Sequence, residues 1–161
     1  GHGQRGPTIA ADAGGRAVEG FNVRYMTRET LAEASGADAV PDVVTGDLSF
    51  ISLTHVLPAV GIVAAADADI VLLVKPQFEG GRTGVREGLV TDAAARADAV
   101  ASVLWAAWDE GLGTFGVISS PLAGTHGNQE FLVHLRRTDA HRDLGNPTEY
   151  LETVNRLAGA R

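Results

Sequence analysis

Three ionisable residues stand where apolar runs of this 161-residue chain begin or end: Asp47 after residues 40–45, Lys75 after 70–74, and Glu130 before 131–136. A lysine desolvated beside a carboxylate can act as a base or polarise an oxygen. A base needs the neutral amine, whereas a neighbouring carboxylate favours the protonated one, so burial or another positive charge has to tip the balance. Each residue alone also has a plainer reading. An acid after a strand often caps the next element, a lysine before proline is usually solvated, and a glutamate opening a strand is usually on the surface. Their common placement at strand ends is what makes a site of them.

The elements that must hold these residues follow from the apolar pattern. Residues 40–45 form a β-branched run that stops at Gly46-Asp47, the pattern of a buried strand meeting a loop. Ile70-Val71-Leu72-Leu73-Val74 is too short for a helix and breaks at Lys75-Pro76, which predicts a second buried strand. Residues 114–119 and 131–136 predict two more, the last with alternating apolar and polar positions, and 21–25 a short one near the start. Thr27 is placed to cap a short helix, and Ser49 or Ser52 caps a helical stretch reaching about Ala66 that Pro58 bends or restarts. The longest helix spans 93–110 after Thr91-Asp92, with Ala94, Ala97, Val100, Ala101, Leu104, Trp105 and Trp108 at helical spacing and Gly111 closing it. Residues 77–88 read as a glycine- and charge-rich loop without a core. Asn146-Pro147-Thr148-Glu149 reads as a turn and cap before a short helix to Leu157.

Connection lengths then set strand directions. Crossovers of a dozen or more residues containing a helix join 40–45 to 70–74 and 70–74 to 114–119, which predicts three parallel strands. Pro121, Gly124, Gly127 and Asn128 leave no room for a helix before Glu130, which predicts an antiparallel return. The carboxyl ends of parallel strands and the start of an antiparallel neighbour share one edge of a sheet, where ligands of open α/β folds bind. Asp47, Lys75 and Glu130 are all expected on that edge.

Composition bounds the remaining classes. With 45% hydrophobic residues, the chain has enough apolar mass for one core, and one domain is expected. The absence of cysteine excludes disulfides, thiolate metal sites and cysteine nucleophiles. The longest apolar stretches, 56–66 and 70–74, fall short of the roughly 20 residues of a spanning helix, and the N-terminus carries no basic-then-apolar signal, so a cytoplasmic setting is expected. Thirteen Lys and Arg against twenty Asp and Glu leave a net charge of -7, the wrong sign for gripping nucleic acid by bulk electrostatics. His2, His55, His126, His134 and His141 show no His-x-x-x-His spacing, so no metal is expected. Neither a Gly-x-Ser-x-Gly elbow, a Walker loop nor a Gly-x-Gly-x-x-Gly fingerprint occurs.

Three local sequences carry a resemblance. Gly46-Asp47-Leu48-Ser49-Phe50-Ile51-Ser52, Val74-Lys75-Pro76-Gln77-Phe78-Glu79, and Ser120-Pro121-Leu122 with Gly127-Asn128-Gln129-Glu130-Phe131 are similar in order and spacing to the bacterial TlyA (hemolysin A) family, over roughly 21–137. The resemblance implies an α/β, Rossmann-like methyltransferase fold of FtsJ type, with a mostly parallel sheet and an antiparallel last strand. It also implies S-adenosyl-L-methionine as cofactor and ribose 2′-hydroxyls of ribosomal RNA as substrate. Of the family's Lys-Asp-Lys-Glu tetrad, Asp47, Lys75 and Glu130 are represented. The resemblance makes Lys75 the base, with Asp47 and Glu130 orienting lysine and nucleotide. It places Asp47, Leu48 and Asn22 at the cofactor, Asn22 and Arg24 matching the family's Asn-x-Arg element, and it gives Phe78 and Arg82 to the RNA.

The departures from the family lie upstream. Its Ser-Arg-Gly-x-x-Lys stretch and Gly-Ala-Ser-x-Gly-Gly-Phe cofactor turn do not occur here, and Gly1-His2-Gly3-Gln4 resembles the family's Gly-Tyr-Gly-Gln inside the fold. The expectation is therefore a single methyltransferase domain over 1–161, without its N-terminal cofactor-binding strands or the family's S4 RNA-binding domain. Such a chain should be inactive alone and prone to self-association through an exposed sheet edge. The alternative is a non-catalytic RNA- or protein-binding remnant of the same fold.

Overall fold

The computed structural model describes residues 27, 43–47, 52–79, 85–86, 89–90, 92–124, 127–138 and 144–160. The predicted strand at 21–25 and the helix after Thr27 lie outside them. Strand β1 is Val43–Gly46, and β2 is Asp69–Val74. Between them, Ser52 accepts the Thr54 N–H and caps a 3-10 turn, Leu53–His55, before helix α1, Leu57–Val63. Pro58 falls in the first turn of α1, where no intrahelical N–H bond is required, so the proline restarts the helix instead of bending it.

After β2 comes a single helical turn, α2, Pro76–Glu79, and then two-residue strands β3, Val85–Arg86, and β4, Leu89–Val90, paired antiparallel. The region read as a plain loop is thus bounded by structure at both ends. The missed turn is too short for any apolar period to register. Helix α3, Ala93–Asp109, opens on an Asp92 cap that accepts the Ala94 N–H, and Gly111 follows it with a φ of 76°. Strands β5, Leu112–Ser119, and β6, Phe131–Arg137, lead to a 3-10 turn at Pro147–Tyr150 and to α4, Leu151–Ala158.

The four long strands form one sheet in the order β1-β2-β6-β5. β1 and β2 are parallel, and β6 is antiparallel to both β2 and β5, so β1, β2 and β5 share one direction, as the connection lengths predict. The short return at 120–130 makes β6 the hairpin neighbour of β5, and the free edge of β2 receives its other side. One face of this sheet is the core. Ile70, Leu72 and Val74 of β2 and Phe131, Val133 and Leu135 of β6 are all buried in one cluster with Leu53, Leu57 and Val60 and with Val100, Val103 and Leu104 of α3.

The buried stripe of α3 differs from the predicted one. Ala97, Val100, Val103, Leu104 and Ala107 are inside, whereas Ala94 is exposed and Trp105 is 38% exposed. Alanine occupies nearly every side of this helix, so its apolar period is degenerate and the bulky tryptophans drew the predicted face towards themselves.

The opposite sheet face carries a shallow apolar groove of about 180 Å³ between Val71, Ile118, Leu132 and His134. At its end Asp69 Oδ1 lies 2.8 Å from His134 Nε2 and 3.3 Å from Arg136 Nε. Among the described residues, no helix is long and apolar enough to cross a membrane.

Candidate active site

Asp47 is the first residue beyond β1 and Lys75 the first beyond β2, and because these strands are parallel neighbours both residues emerge on the same rim. Pro76 turns the chain immediately afterwards, its fixed φ suiting the first turn of a helix, and the Phe78 N–H closes that turn on the Lys75 carbonyl at 2.9 Å. The Lys75 side chain is only 13% exposed, and its Nζ forms an ion pair with Asp47 Oδ1, whose own side chain is 66% exposed. The lysine is therefore the more buried partner. The aspartate is the exposed one.

Glu130 reaches the rim from the other direction. Val74 pairs with Phe131, so Lys75 and Glu130 are the next residues along two antiparallel neighbours. Glu130 is only 6% exposed. Its Oε2 accepts a 2.7 Å hydrogen bond from Gln77 Nε2, and its carbonyl accepts the Ser120 N–H at 2.8 Å, one step beyond the β5–β6 ladder. The loop before it is held by Gly124 N–H to the Asn128 carbonyl, 2.7 Å, and by Gly127 N–H to the Gly124 carbonyl, 3.0 Å. Gly124 lies so close that a Cβ there would sit 1.9 Å from Glu130 Oε2. Gln77 Oε1 is buried and has no hydrogen-bond partner among the described residues.

Glu79, at the end of the same turn, was not anticipated. Its Oε2 accepts the Ser52 hydroxyl at 2.5 Å and its Oε1 the Leu53 N–H at 2.7 Å. Burial pushes its carboxyl above the ordinary glutamate value of 4.5, opposed by the hydrogen bonds from Leu53 and Ser52 and by the charge of His55. A carboxyl whose value is raised by folding binds its proton more tightly in the native state. Its contribution to stability is thus complete below 4.5 and is lost as pH rises through the elevated native value. Removing the titrating group should flatten this slope. Urea unfolding of Glu79→Gln across that window is expected to show a smaller fall in stability with rising pH than the unsubstituted chain, and parallel pH profiles would contradict it.

The structure brings Asp47 and Lys75 into contact, puts Glu130 beside them in register, and places Phe78 half-buried on the turn between Gln77 and Glu79. Asn22, Leu48 and Arg82 lie outside the described residues. The sequence profile of the FtsJ-like methyltransferases matches residues 1–137. The chain belongs to the FtsJ-like methyltransferase family.

Its similarity within this family runs to proteins longer than itself. It is 42% identical over 137 residues to the 16S/23S rRNA (cytidine-2'-O)-methyltransferase TlyA of Mycobacterium tuberculosis, a match covering 84% of this chain and 49% of the relative. It is 38% identical over 119 residues to YqxC of Bacillus subtilis, which is named for rRNA methyltransferase activity, covering 73% of this chain and 41% of that protein. A solved structure described as a hemolysin from Streptococcus thermophilus superposes with a TM-score of 0.80 at 34% identity, covering 94% of this chain and 53% of the other. The chain spans about half the length of the curated relatives it matches.

Within this FtsJ-like chain, the residues that sequence reasoning missed are Gln77, Glu79 and Gly124. One signal was present for the lysine itself. Lys75 is the only lysine among thirteen Lys and Arg residues, in a chain that uses arginine at every other basic position. A guanidinium stays protonated where an amine need not.

Proposed function

We propose that this protein transfers a methyl group from S-adenosyl-L-methionine to a ribose 2′-hydroxyl of ribosomal RNA, in the cytoplasm. The observation that carries the reading is the largely covered Lys75 side chain paired with Asp47 on the rim where Glu130 also arrives. When bound, the cofactor supplies an electrophilic methyl group. The chain's own residues supply placement and proton removal. Lys75 Nζ takes the hydroxyl proton, Asp47 holds the amine in place, and Glu130, fixed by Gln77, orients the nucleotide.

The donor set suits a cofactor that carries positive charge. The Asp47 side chain is exposed and Gln77 Oε1 is a buried acceptor without a partner among the described residues, while Asn22 and Leu48 are proposed as further cofactor contacts and Phe78 and Arg82 as RNA contacts. Association of copies along the edge of the sheet is part of the same proposal.

Calorimetry with S-adenosylhomocysteine on the protein that carries this chain tests the reading, and binding is expected. Failure to bind turns the reading towards the second one, a non-catalytic RNA- or protein-binding module, to which the net charge of -7 gives no electrostatic help on RNA.

A further inference from the structure

Two points on the chain following β1, Asp47 and the Ser52–Leu53 step, meet the single turn from Lys75 to Glu79 that follows β2. The turn is held at its start by the Lys75–Asp47 ion pair and at its end by Glu79, which accepts from both the Ser52 hydroxyl and the Leu53 N–H. We propose that Glu79 is a positioning residue for the transfer step, fixing the turn that carries Lys75 against the Ser52–His55 3-10 turn and thereby setting where the lysine meets Asp47.

The chemistry of the clamp supports this. A carboxylate accepts at both oxygens, and its two donors belong to adjacent residues of the opposing segment, so the contact restrains rotation as well as distance. Ser52 is itself held, its oxygen accepting the Thr54 N–H at 3.1 Å as the cap of the 3-10 turn. The Glu79 carboxylate is consequently anchored to a helical element packed in the core through Leu53 and Leu57. Only three residues of one helical turn separate Glu79 from Lys75, and Pro76 stiffens the first of them. Displacement of Glu79 therefore has little slack to absorb it before it reaches the lysine.

The functional meaning rests on Lys75 as the base, but the positioning can be read without any turnover. Because Lys75 is the only lysine, the chain expressed with ¹⁵Nζ,¹³Cε-lysine gives one lysine side-chain signal, and Asp47→Asn marks where that signal lies when the pair is broken. In folded Glu79→Ala the signal is expected to move most of the way to the Asp47→Asn position, while Glu79→Gln, which can accept from Leu53 and donate to Ser52, stays with the unsubstituted chain. A lysine signal unmoved in folded Glu79→Ala overturns the proposal, even if the melting temperature falls, because loss of stability alone does not shift it. Should Glu79→Ala fail to fold, Ser52→Ala removes one of the two bonds from the other side and is judged by the same shift. In the methyl-transfer assay kcat is expected to drop on the order of 100-fold in Glu79→Ala with KM for RNA unchanged, as for a group misplaced by about 1 Å. Absence of methyl transfer in the unsubstituted enzyme would count against the base and leave the lysine signal to decide the positioning.

Discussion

Lys75→Arg is expected to cost methyl transfer roughly 10²- to 10⁴-fold in rate, the range a positioned acid or base contributes, while leaving the fold intact. Arginine keeps the positive charge and can still pair with Asp47, so the ion pair at the rim survives in kind. What it cannot do at neutral pH is give up a proton to become an acceptor. The substitution thus separates charge from basicity at one position. Lys75→Ala removes both, and its effect on stability should be small because Asp47, with a side chain 66% exposed, stays solvated without its partner. Single-turnover methylation of ribosomal subunits, with thermal unfolding run in parallel, checks both variants. An arginine variant that methylates at the unsubstituted rate would remove Lys75 as the base.

The second large effect is expected at a residue with no side chain. In Gly124→Ala the new Cβ would lie 1.9 Å from Glu130 Oε2 and 2.3 Å from its Cδ, distances no pair of atoms tolerates. The carboxylate has no easy exit. It is buried, held by Gln77, and mounted beside the paired end of β6. Overpacking of this kind costs about 1–3 kcal/mol, and displacement of Glu130 should slow transfer on the order of 100-fold. A double-mutant cycle isolates the cause, because Glu130→Ala in the Gly124→Ala background removes the clash and should recover part of the lost stability. Denaturant unfolding of the four proteins reads this directly, and additive losses would show that Gly124 and Glu130 are not coupled.

The sheet was legible because its signals are local. Ile70 to Val74 can only be a strand at that length, and Pro121, Gly124, Gly127 and Asn128 leave no room for a helix between Ser119 and Glu130, which dictates a hairpin return. The rim residues were legible for the same reason, each being the residue next to a strand. Gln77, Glu79 and Gly124 were not, since their roles consist of partners 53, 26 or 27, and 6 positions away, which no pattern in the chain encodes. The face of α3 was misjudged where alanine supplies most of the period and Trp105 is left partly outside. The position of β6 within the sheet was also left open, because connection length gives direction but not which edge a returning strand takes.

That position has a consequence during synthesis. β6 is translated after the other three long strands, yet it fills an interior slot between β2 and β5. Until residue 137 has left the ribosome, the nascent chain holds two unmatched strand borders and lacks Phe131, Val133 and Leu135 from its core. Such borders invite mispairing with other polypeptides, so the emerging chain should draw on molecular chaperones late rather than early. Glu130 arrives with that same strand, so completion of the sheet and completion of the rim happen together.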